Sequence, residues 1–204
     1  METVKFGEQN WAQINCKQKF FANGMPIIQV NTAEEWVANN KKKIPSYAFY
    51  DFKPENEDNF GLIYNWHVVV NKNKLVEGFR VPSNDDWNIF KKYLVGYNRG
   101  EIDLDKYWEL VTSAGKDLKS KSLWDHYGVL SNGIDKYNFN ITPGGGINTE
   151  GGFSHKGVAC SLWSNTIEDK FRWNFSIDNK YNMQLIGIPK KIWGHGNYLR
   201  LIKE

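Results

Sequence analysis

Cysteine is scarce in this chain. Cys16 and Cys160 are the only two in 204 residues, too few for a disulfide scaffold. Neither stands in a Cys-x-x-Cys pair or in a cysteine–histidine spacing typical of a metal site. Two alternatives stay open for them: one disulfide between the two, or two free thiols buried in the core.

Long apolar runs are missing too. The longest, such as Val68 to Val70, are far too short to cross a bilayer, so no membrane insertion is expected. Residues 1–7 carry mixed charge instead of the apolar stretch of a signal peptide. We therefore expect the chain as given to stay in the cytoplasm or to leave by a route without a cleaved leader, such as virion assembly and lysis, unless its leader has been removed.

Charge of one sign is also weak. The net charge is +3, and lysines are scattered or sit in short runs such as 41–43 and 190–191. A nucleic-acid-binding domain usually carries a basic stripe and a higher net charge. The sequence therefore favours solvated surfaces over a nucleic-acid partner.

Groupings typical of catalysis are not found. None of the four histidines stands in a metal-binding spacing with another, and the glycines at 143–146 lack the Gly-Lys-Ser/Thr of a phosphate-binding loop. The acidic pairs at 34–35 and 85–86 are explained as first turns of helices. We predict no catalytic residue, no metal and no cofactor. Two glycosidase carboxylates need not be neighbours in sequence, so a divergent enzyme stays an alternative.

Helix signals are concentrated in the first half. Thr32 and Glu35 form a capping box for a helix that ends near residues 39–40. A second helix starts after Ser83, with glycine at 96 or 100 as its stop. Its apolar face has the spacing of an amphipathic helix and consists of Trp87, Phe90, Leu94 and Tyr97. A third helix is predicted from about 104 to 114, with Gly115 as its stop.

Strand signals and glycine-rich stretches make up the rest. Short β-prone runs occur at 6–14, 27–30 and 46–52, and the best central strand is 62–70. After Gly115 the chain is rich in glycine, asparagine, serine and aromatics. Helices first and glycine-rich strands later predict one α+β domain over 1–204, not an alternating α/β fold.

Aromatic and amide residues are plentiful in the last third. Aromatics make up 15% of the chain, with nine tryptophans. Large rings beside short amides are typical of recognition surfaces, and they also suit sugar rings. Alternation over 171–177 predicts residues 171, 173, 175 and 177 inside and residues 172, 174 and 176 outside. The predicted ligand-binding residues are Trp163, Asn165, Arg172, Asn174, Asp178, Tyr181, Asn182, Trp193, His195 and Asn197.

Eight motifs in fixed order resemble those of the Fibrobacter succinogenes major paralogous domain family. Two of them are residues 60–66 (FGLIYNW) and residues 78–87 (GFRVPSNDDW), which resemble the family's G-x-L-Y-N-W and G-W-H-V-P-S-D-x-E-W patterns. The fixed order of several motifs makes the resemblance specific. The others lie at 10–15, 20–26, 32–36, 114–120, 139–145 and 162–166. Together the motifs cover nearly the whole chain.

The resemblance implies a C-type-lectin-like fold, related to formylglycine-generating enzymes and to the variable proteins of diversity-generating retroelements. Such a fold has short helices around a small twisted antiparallel sheet with long glycine-rich loops. The resemblance also implies that the two chain ends pair and that the last third carries the display surface. Cys16 and Cys160 do not match the late cysteine pair of the enzymes, and the calcium motifs of animal lectins are missing.

Two departures from the family guide the functional expectation. The final strand, expected at residues 198–202 (YLRLI), replaces the family's S-V-R-C-V, and the opening residues do not resemble a leader. We expect a non-enzymatic binding or display domain on a phage virion or cell surface, in a fibre or decoration protein, whose partner is a protein or glycan receptor. The domain is expected to form a homo-oligomer or part of a larger assembly. The alternatives are a virion or filament component that contacts only other subunits, and a processed bacterial surface adhesin.

Overall fold

The structure, a computed structural model, describes residues 1–126, 128–189, 192 and 194–204, with the side chain of residue 126 outside the description. It is a mixed α+β structure, as the sequence predicts. The helices are α1 Ala33–Lys41, α2 Glu57–Phe60, α3 Trp66–Val69, α4 Asn84–Val95 and α5 Leu104–Leu118. The strands are β1 Thr3–Phe6, β2 Gln9–Ala12, β3 Ile28–Gln29, β4 Ser46–Ala48, β5 Ile63–Asn65, β6 Phe79–Arg80, β7 Asp125–His126, β8 Val129–Leu130, β9 Gly144–Ile147, β10 Phe153–Lys156, β11 Ala159–Ile167, β12 Phe171–Asp178, β13 Met183–Pro189, β14 Gly196–Asn197 and β15 Ile202–Lys203.

One large sheet dominates the described residues. Eight strands follow the order β13-β12-β11-β9-β14-β5-β4-β3, and β10 pairs with β9. A smaller sheet has the order β1-β2-β15-β6, and β7 pairs with β8. The prediction of a small antiparallel sheet was wrong, since β9 with β11 and β3 with β4 pair in parallel. The glycine-rich second half, predicted to hold long loops, supplies β9 to β13.

The two ends of the chain pair in the smaller sheet. Ile202 of β15 lies opposite Trp11 of β2. The fully buried Arg200 ties this junction together, because its Nη2 donates to Asn15 Oδ1 at 2.8 Å and its Nη1 donates to the Phe139 carbonyl at 2.5 Å. The pairing of the ends that the resemblance implies is therefore present.

The first two predicted helices start where the sequence places them. Thr32 Oγ1 accepts a hydrogen bond from the Glu35 N–H at the start of α1. At the start of α4, Ser83 Oγ accepts from the Asp86 N–H and Asp86 Oδ2 accepts from the Ser83 N–H, a complete capping box. α4 ends at Val95, and Gly96 caps it with a left-handed φ of +80°.

Gly115 does not end the third helix. α5 continues to Leu118. A Cβ at position 115 would lie 2.1 Å from the carbonyl oxygen of Tyr181, so only glycine lets the turn after β12 pack directly against α5. Glycine is required here because the backbone of Tyr181 lies so close to the helix. The sequence alone predicts, wrongly, that Gly115 ends the helix.

The predicted central strand over 62–70 splits into two elements. β5 ends at Asn65 and α3 begins at the next residue. The Asn65 side chain accepts from the Ser46 N–H and donates to the Ile44 carbonyl. These bonds take the place of further backbone pairing with β4, so the chain can leave the sheet and turn into α3.

Two buried clusters pack on the two sides of the large sheet. Ile63 and Leu162 belong to the cluster that includes α4 and α5, while their neighbours Tyr64 and Trp163 belong to the other. Cys16 and Cys160 are both buried and free, one of the two alternatives left open by the sequence. The large sheet is therefore covered on both faces over much of its width.

Candidate functional site

Strands β11, β12 and β13 present one face to the helices and the other to a groove. Phe175 and Ile177 point to the helix side, where Phe175 stacks on Trp87 of α4. On the opposite face Ser161 pairs with Ser176, and Asn174 pairs with Ile186 of β13. Because side chains alternate along a strand, these polar residues share one surface.

The groove on this surface has a volume of about 440 Å³, within the range of small-molecule sites. Its floor is the face of β11 to β13 and one side is the β9–β10 hairpin. The described residues of the other side are 192, 195 and 197. We call it the amide groove. Its described lining residues are Gly145, Gly146, Ile147, Asn148, Ser154, His155, Ala159, Ser161, Asn174, Ser176, Ile186, Gly187, Ile188, Pro189, Ile192, His195 and Asn197.

Two asparagines at the bottom of the amide groove keep polar atoms without a partner. Asn174 and Asn197 are each 5% exposed. Oδ1 of Asn174 and Nδ2 of Asn197 are buried and have no hydrogen-bond partner among the described residues. A buried polar atom left unpaired costs about 1–3 kcal/mol. The groove therefore holds one unused acceptor and one unused donor.

Hydroxyl and imidazole groups surround these amides. Ser161 and Ser176 lie opposite each other on β11 and β12, and both line the groove. His155 Nδ1 lies 2.8 Å from Ser154 Oγ, and His195 Nδ1 lies 2.5 Å from the Ile192 carbonyl. The remaining walls are glycine and aliphatic side chains. The described lining residues include no Asp, Glu, Lys or Arg.

Three of the ten predicted ligand-binding residues line the amide groove: Asn174, His195 and Asn197. The alternation over 171–177 correctly separates the two faces of β12. It is wrong about exposure, since Asn174 and Ser176 are 5% and 7% exposed because the groove walls cover them. Phe171, predicted inside, is 37% exposed.

Three other predicted residues build the turn between β12 and β13. Asp178 Oδ1 accepts from the N–H groups of Lys180 and Asn182, and its Oδ2 accepts from Asn182 Nδ2. Tyr181 has a left-handed φ of +66° and donates its hydroxyl to the Asn132 carbonyl. Their polar groups are thus engaged within the protein, and the turn holds β12 and β13 in register.

The turn also covers a buried cation. The fully buried Lys119 places Nζ 3.7 Å from the Trp124 ring centre and 4.0 Å from that of Tyr181. Nζ also donates to the Asp178 carbonyl at 3.3 Å. Burial lowers the pKa of Lys119 to about 7, while the charge of Asp178 acts in the opposite direction.

The last four predicted residues lie elsewhere. Trp163 is fully buried and donates Nε1 to the Tyr64 carbonyl, so it is a core residue. Asn165 donates to the Val81 carbonyl at a small cleft beside β6. Arg172 lies on the groove face of β12 with its guanidinium 5.0 Å from the Trp66 ring centre, and burial lowers its pKa to about 10. Trp193 lies outside the described residues.

Sequence reasoning missed most of the groove walls. Ser161 and Ser176 were overlooked because serine is common in strands and turns alike. Ser176 was nevertheless placed on the same face as Asn174, and extending that alternation to β11 would have added Ser161. The contribution of Gly145, Gly146 and His155 depends on how β9 and β10 pack beside β11, which no local pattern encodes.

The described residues offer neither a metal site nor a membrane-spanning helix. Among the described residues, no group of three or more histidine, cysteine, aspartate or glutamate side chains is arranged to hold a metal ion. Within the same residues, every helix is too short or too polar to cross a membrane.

The fold defines the structural class of this protein, and comparison with known proteins identifies its family. The chain has an α+β fold with a groove on its main sheet, and the described lining of that groove includes no Asp, Glu, Lys or Arg. The family described as the Fibrobacter succinogenes major domain matches residues 4–203, and the chain belongs to this family. No curated protein and no solved structure matches the chain.

Proposed function

We propose that this protein is a non-enzymatic binding domain and that the amide groove is its ligand site. The observation that carries the proposal is the pair of buried, unpaired amide atoms, Asn174 Oδ1 and Asn197 Nδ2. A valine or leucine at either position would avoid the cost of an unpaired polar atom. A ligand that supplies one donor and one acceptor offsets that cost on binding.

Surface display is the setting that fits this role best. The family resemblance points to a C-type-lectin-like domain on a cell or virion surface, with a protein or glycan receptor as partner. The pairing of β15 with β2 supports that fold, because it brings the two ends of the chain together as the resemblance implies. The groove opens on the sheet face formed by the last third of the chain, where the family resemblance places the display surface.

A panel of small neutral compounds tests whether the groove binds anything. We would titrate ¹⁵N-labelled protein with neutral mono- and disaccharides and with capped tripeptides, and follow amide chemical shifts. We expect shifts at Asn174, Ser176, Gly187 and Asn197 with at least one of these compounds. Asn174→Leu should abolish them, and Asn88→Ala, on the exposed face of α4, should leave them unchanged. An unchanged spectrum across the panel, or shifts confined to other surfaces, would count against the proposal.

A second candidate role, subunit contact within a virion or filament, rests on the β7–β8 hairpin. Val129 and Leu130 are adjacent and 68% and 70% exposed. Neighbouring exposed aliphatic side chains favour contact with another protein. In light scattering, the wild type should then form oligomers that the double variant Val129→Ser, Leu130→Ser loses. A monomeric wild type at high concentration argues against self-association through this hairpin.

A further inference from the structure

We propose that the amide groove takes an uncharged saccharide at least two sugar residues long. The inference rests on the proposed function and adds the chemical class and length of the ligand. It depends on the order of the polar side chains across the strands, on the kind of hydrogen bonding they leave open, and on the charge of the groove.

Four polar side chains extend across three neighbouring chain segments. Ser176 lies opposite Ser161, and Asn174 lies two residues along β12, opposite Trp163. On the other side of β11, the Tyr198 N–H donates to the Ser161 carbonyl, and Tyr198 pairs in parallel with Leu162. Tyr198 and Leu162 share the helix side, so the residues before them, Asn197 and Ser161, share the groove side.

This arrangement sets the distance that a ligand must span. Strands lie about 4.8 Å apart and rise about 3.3 Å per residue. Asn174 and Asn197 are two strand spacings apart sideways and two residues apart lengthwise, which places their Cα atoms roughly 12 Å from each other. One sugar ring is shorter than that distance, whereas two linked rings reach both amides and pass over the serine hydroxyls between them.

The open hydrogen-bonding groups suit hydroxyls. Asn174 Oδ1 requires a donor and Asn197 Nδ2 requires an acceptor. The hydroxyls of Ser161 and Ser176 can each do both. A saccharide hydroxyl also donates and accepts. Hydroxyls along a sugar chain can therefore pair with both amides and both serines, whichever way the sugar chain runs. A peptide offers its N–H and C=O groups in opposite directions, and only half of them could face the groove floor.

The charge of the groove favours an uncharged ligand. The described lining residues include no Asp, Glu, Lys or Arg. Arg172 lies on the same face of β12, but its guanidinium is held over the Trp66 ring. A buried carboxylate or phosphate would therefore lose hydration that none of the described lining side chains replaces with a positive charge. Ile186 of β13, which is 37% exposed, offers apolar surface for the C–H faces of sugar rings. Acidic sugars are therefore expected to bind more weakly than neutral ones.

A printed array of neutral and acidic oligosaccharides, followed by calorimetry with lactose, maltose and cellobiose as neutral disaccharides, tests the proposal. We expect binding of at least one neutral disaccharide at least tenfold tighter than of glucose or galactose, and no preference for sialylated or uronic-acid glycans. Asn174→Leu and Ser161→Ala should each weaken the disaccharide at least tenfold. Asn88→Ala is the matched control and should leave affinity unchanged. Dispersed amide spectra would show that each variant folds.

The outcomes separate this inference from the proposed function. Groove chemical shifts caused only by capped tripeptides, or only by acidic sugars, would overturn the saccharide assignment and leave the binding function standing. Equal affinity for mono- and disaccharides would overturn the length requirement. If neither saccharides nor peptides move groove signals, both the inference and the proposed function fail.

Discussion

Trp87 of α4 and Phe175 of β12 stack with ring centres 4.4 Å apart and planes 7° from parallel. Both rings are buried in the cluster that joins α4 to the large sheet. Phe175 follows Asn174 directly in the chain, so the same strand presents an aromatic anchor to the helices and an amide to the groove. The position of the groove floor therefore depends on this stack.

Replacing Phe175 tests the stack. We expect Phe175→Ala to lower the free energy of unfolding by about 3–5 kcal/mol, because it removes a fully buried ring and leaves a cavity. Urea unfolding followed by tryptophan fluorescence measures the change. Phe171→Ala on the same strand is the control and should cost much less, since Phe171 is 37% exposed. Equal losses at the two positions would contradict the anchor role of Phe175.

Gly115 gives a prediction whose sign is unusual. In an ordinary helix interior, Gly→Ala raises stability by about 1 kcal/mol. Here we expect Gly115→Ala to lower it by at least about 1–3 kcal/mol, since the new methyl group meets the backbone oxygen of Tyr181. Ser113→Ala, at an exposed position of α5, should be neutral or stabilising. Thermal unfolding measures the stability of both variants. A Gly115→Ala variant more stable than the wild type would show that the close contact does not exist.

Asp86 links stability to acid pH. Burial acts to raise the pKa of Asp86, but hydrogen bonds from Arg80 and Ser83 and the charge of Arg80 outweigh it, so the pKa is lowered. Its stabilising contribution is therefore complete above the unfolded pKa of about 3.9 and is lost as pH falls through the folded value.

We expect Asp86→Asn to cost about 1–3 kcal/mol at pH 7, because the variant loses the Arg80 ion pair and part of the cap. Between about pH 5 and pH 2 the wild type should lose more stability than the variant, so the two curves converge. Urea unfolding across this range is the measurement. Parallel curves would mean that Asp86 titrates alike in the folded and unfolded states.

Lys119 links stability to alkaline pH. Its pKa of about 7, lowered by burial, is below the unfolded value of about 10.4, so the unfolded chain binds more protons between these values. Stability of the wild type should therefore rise from pH 7 toward pH 10. The two aromatic faces favour the ammonium form and limit the rise to on the order of 2 kcal/mol.

The control for this effect is Lys119→Met, which keeps much of the side-chain volume and removes the titrating group. The stability difference between wild type and variant should change with pH in this range, and other titrating groups cancel in the subtraction. Chemical denaturation at pH 7, 8.5 and 9.5 measures it. A difference that stays constant with pH would show that Lys119 keeps its ordinary pKa.

Local sequence signals predict the helix starts well. Thr32 and Ser83 are N-caps as expected, because a hydroxyl followed three residues later by an acidic side chain satisfies the free N–H groups of a first turn within a short segment. Predictions that depend on distant contacts fail. Gly115 is mistaken for a stop because Tyr181 lies 66 residues away, and the end of β5 depends on the Asn65 side chain bonding to Ile44 and Ser46.

The candidate site is only partly predictable for the same reason. Composition and alternation identify Asn174 and Asn197, and the glycines flanking residue 195 draw attention to His195. Composition cannot distinguish Asn174 from Asn182, which bonds to Asp178 in a turn, because both are asparagines in the same aromatic-rich stretch. Separating them requires the pairing of β12 with β11 and β13.

The most direct test of the ligand site is a crystal structure of the protein soaked with a neutral disaccharide selected from the array. We predict that the saccharide lies in the amide groove, with one hydroxyl donating to Asn174 Oδ1 and another accepting from Asn197 Nδ2, each at about 3 Å. A groove that stays free of saccharide, with both amides hydrogen-bonded to other protein atoms, would contradict it.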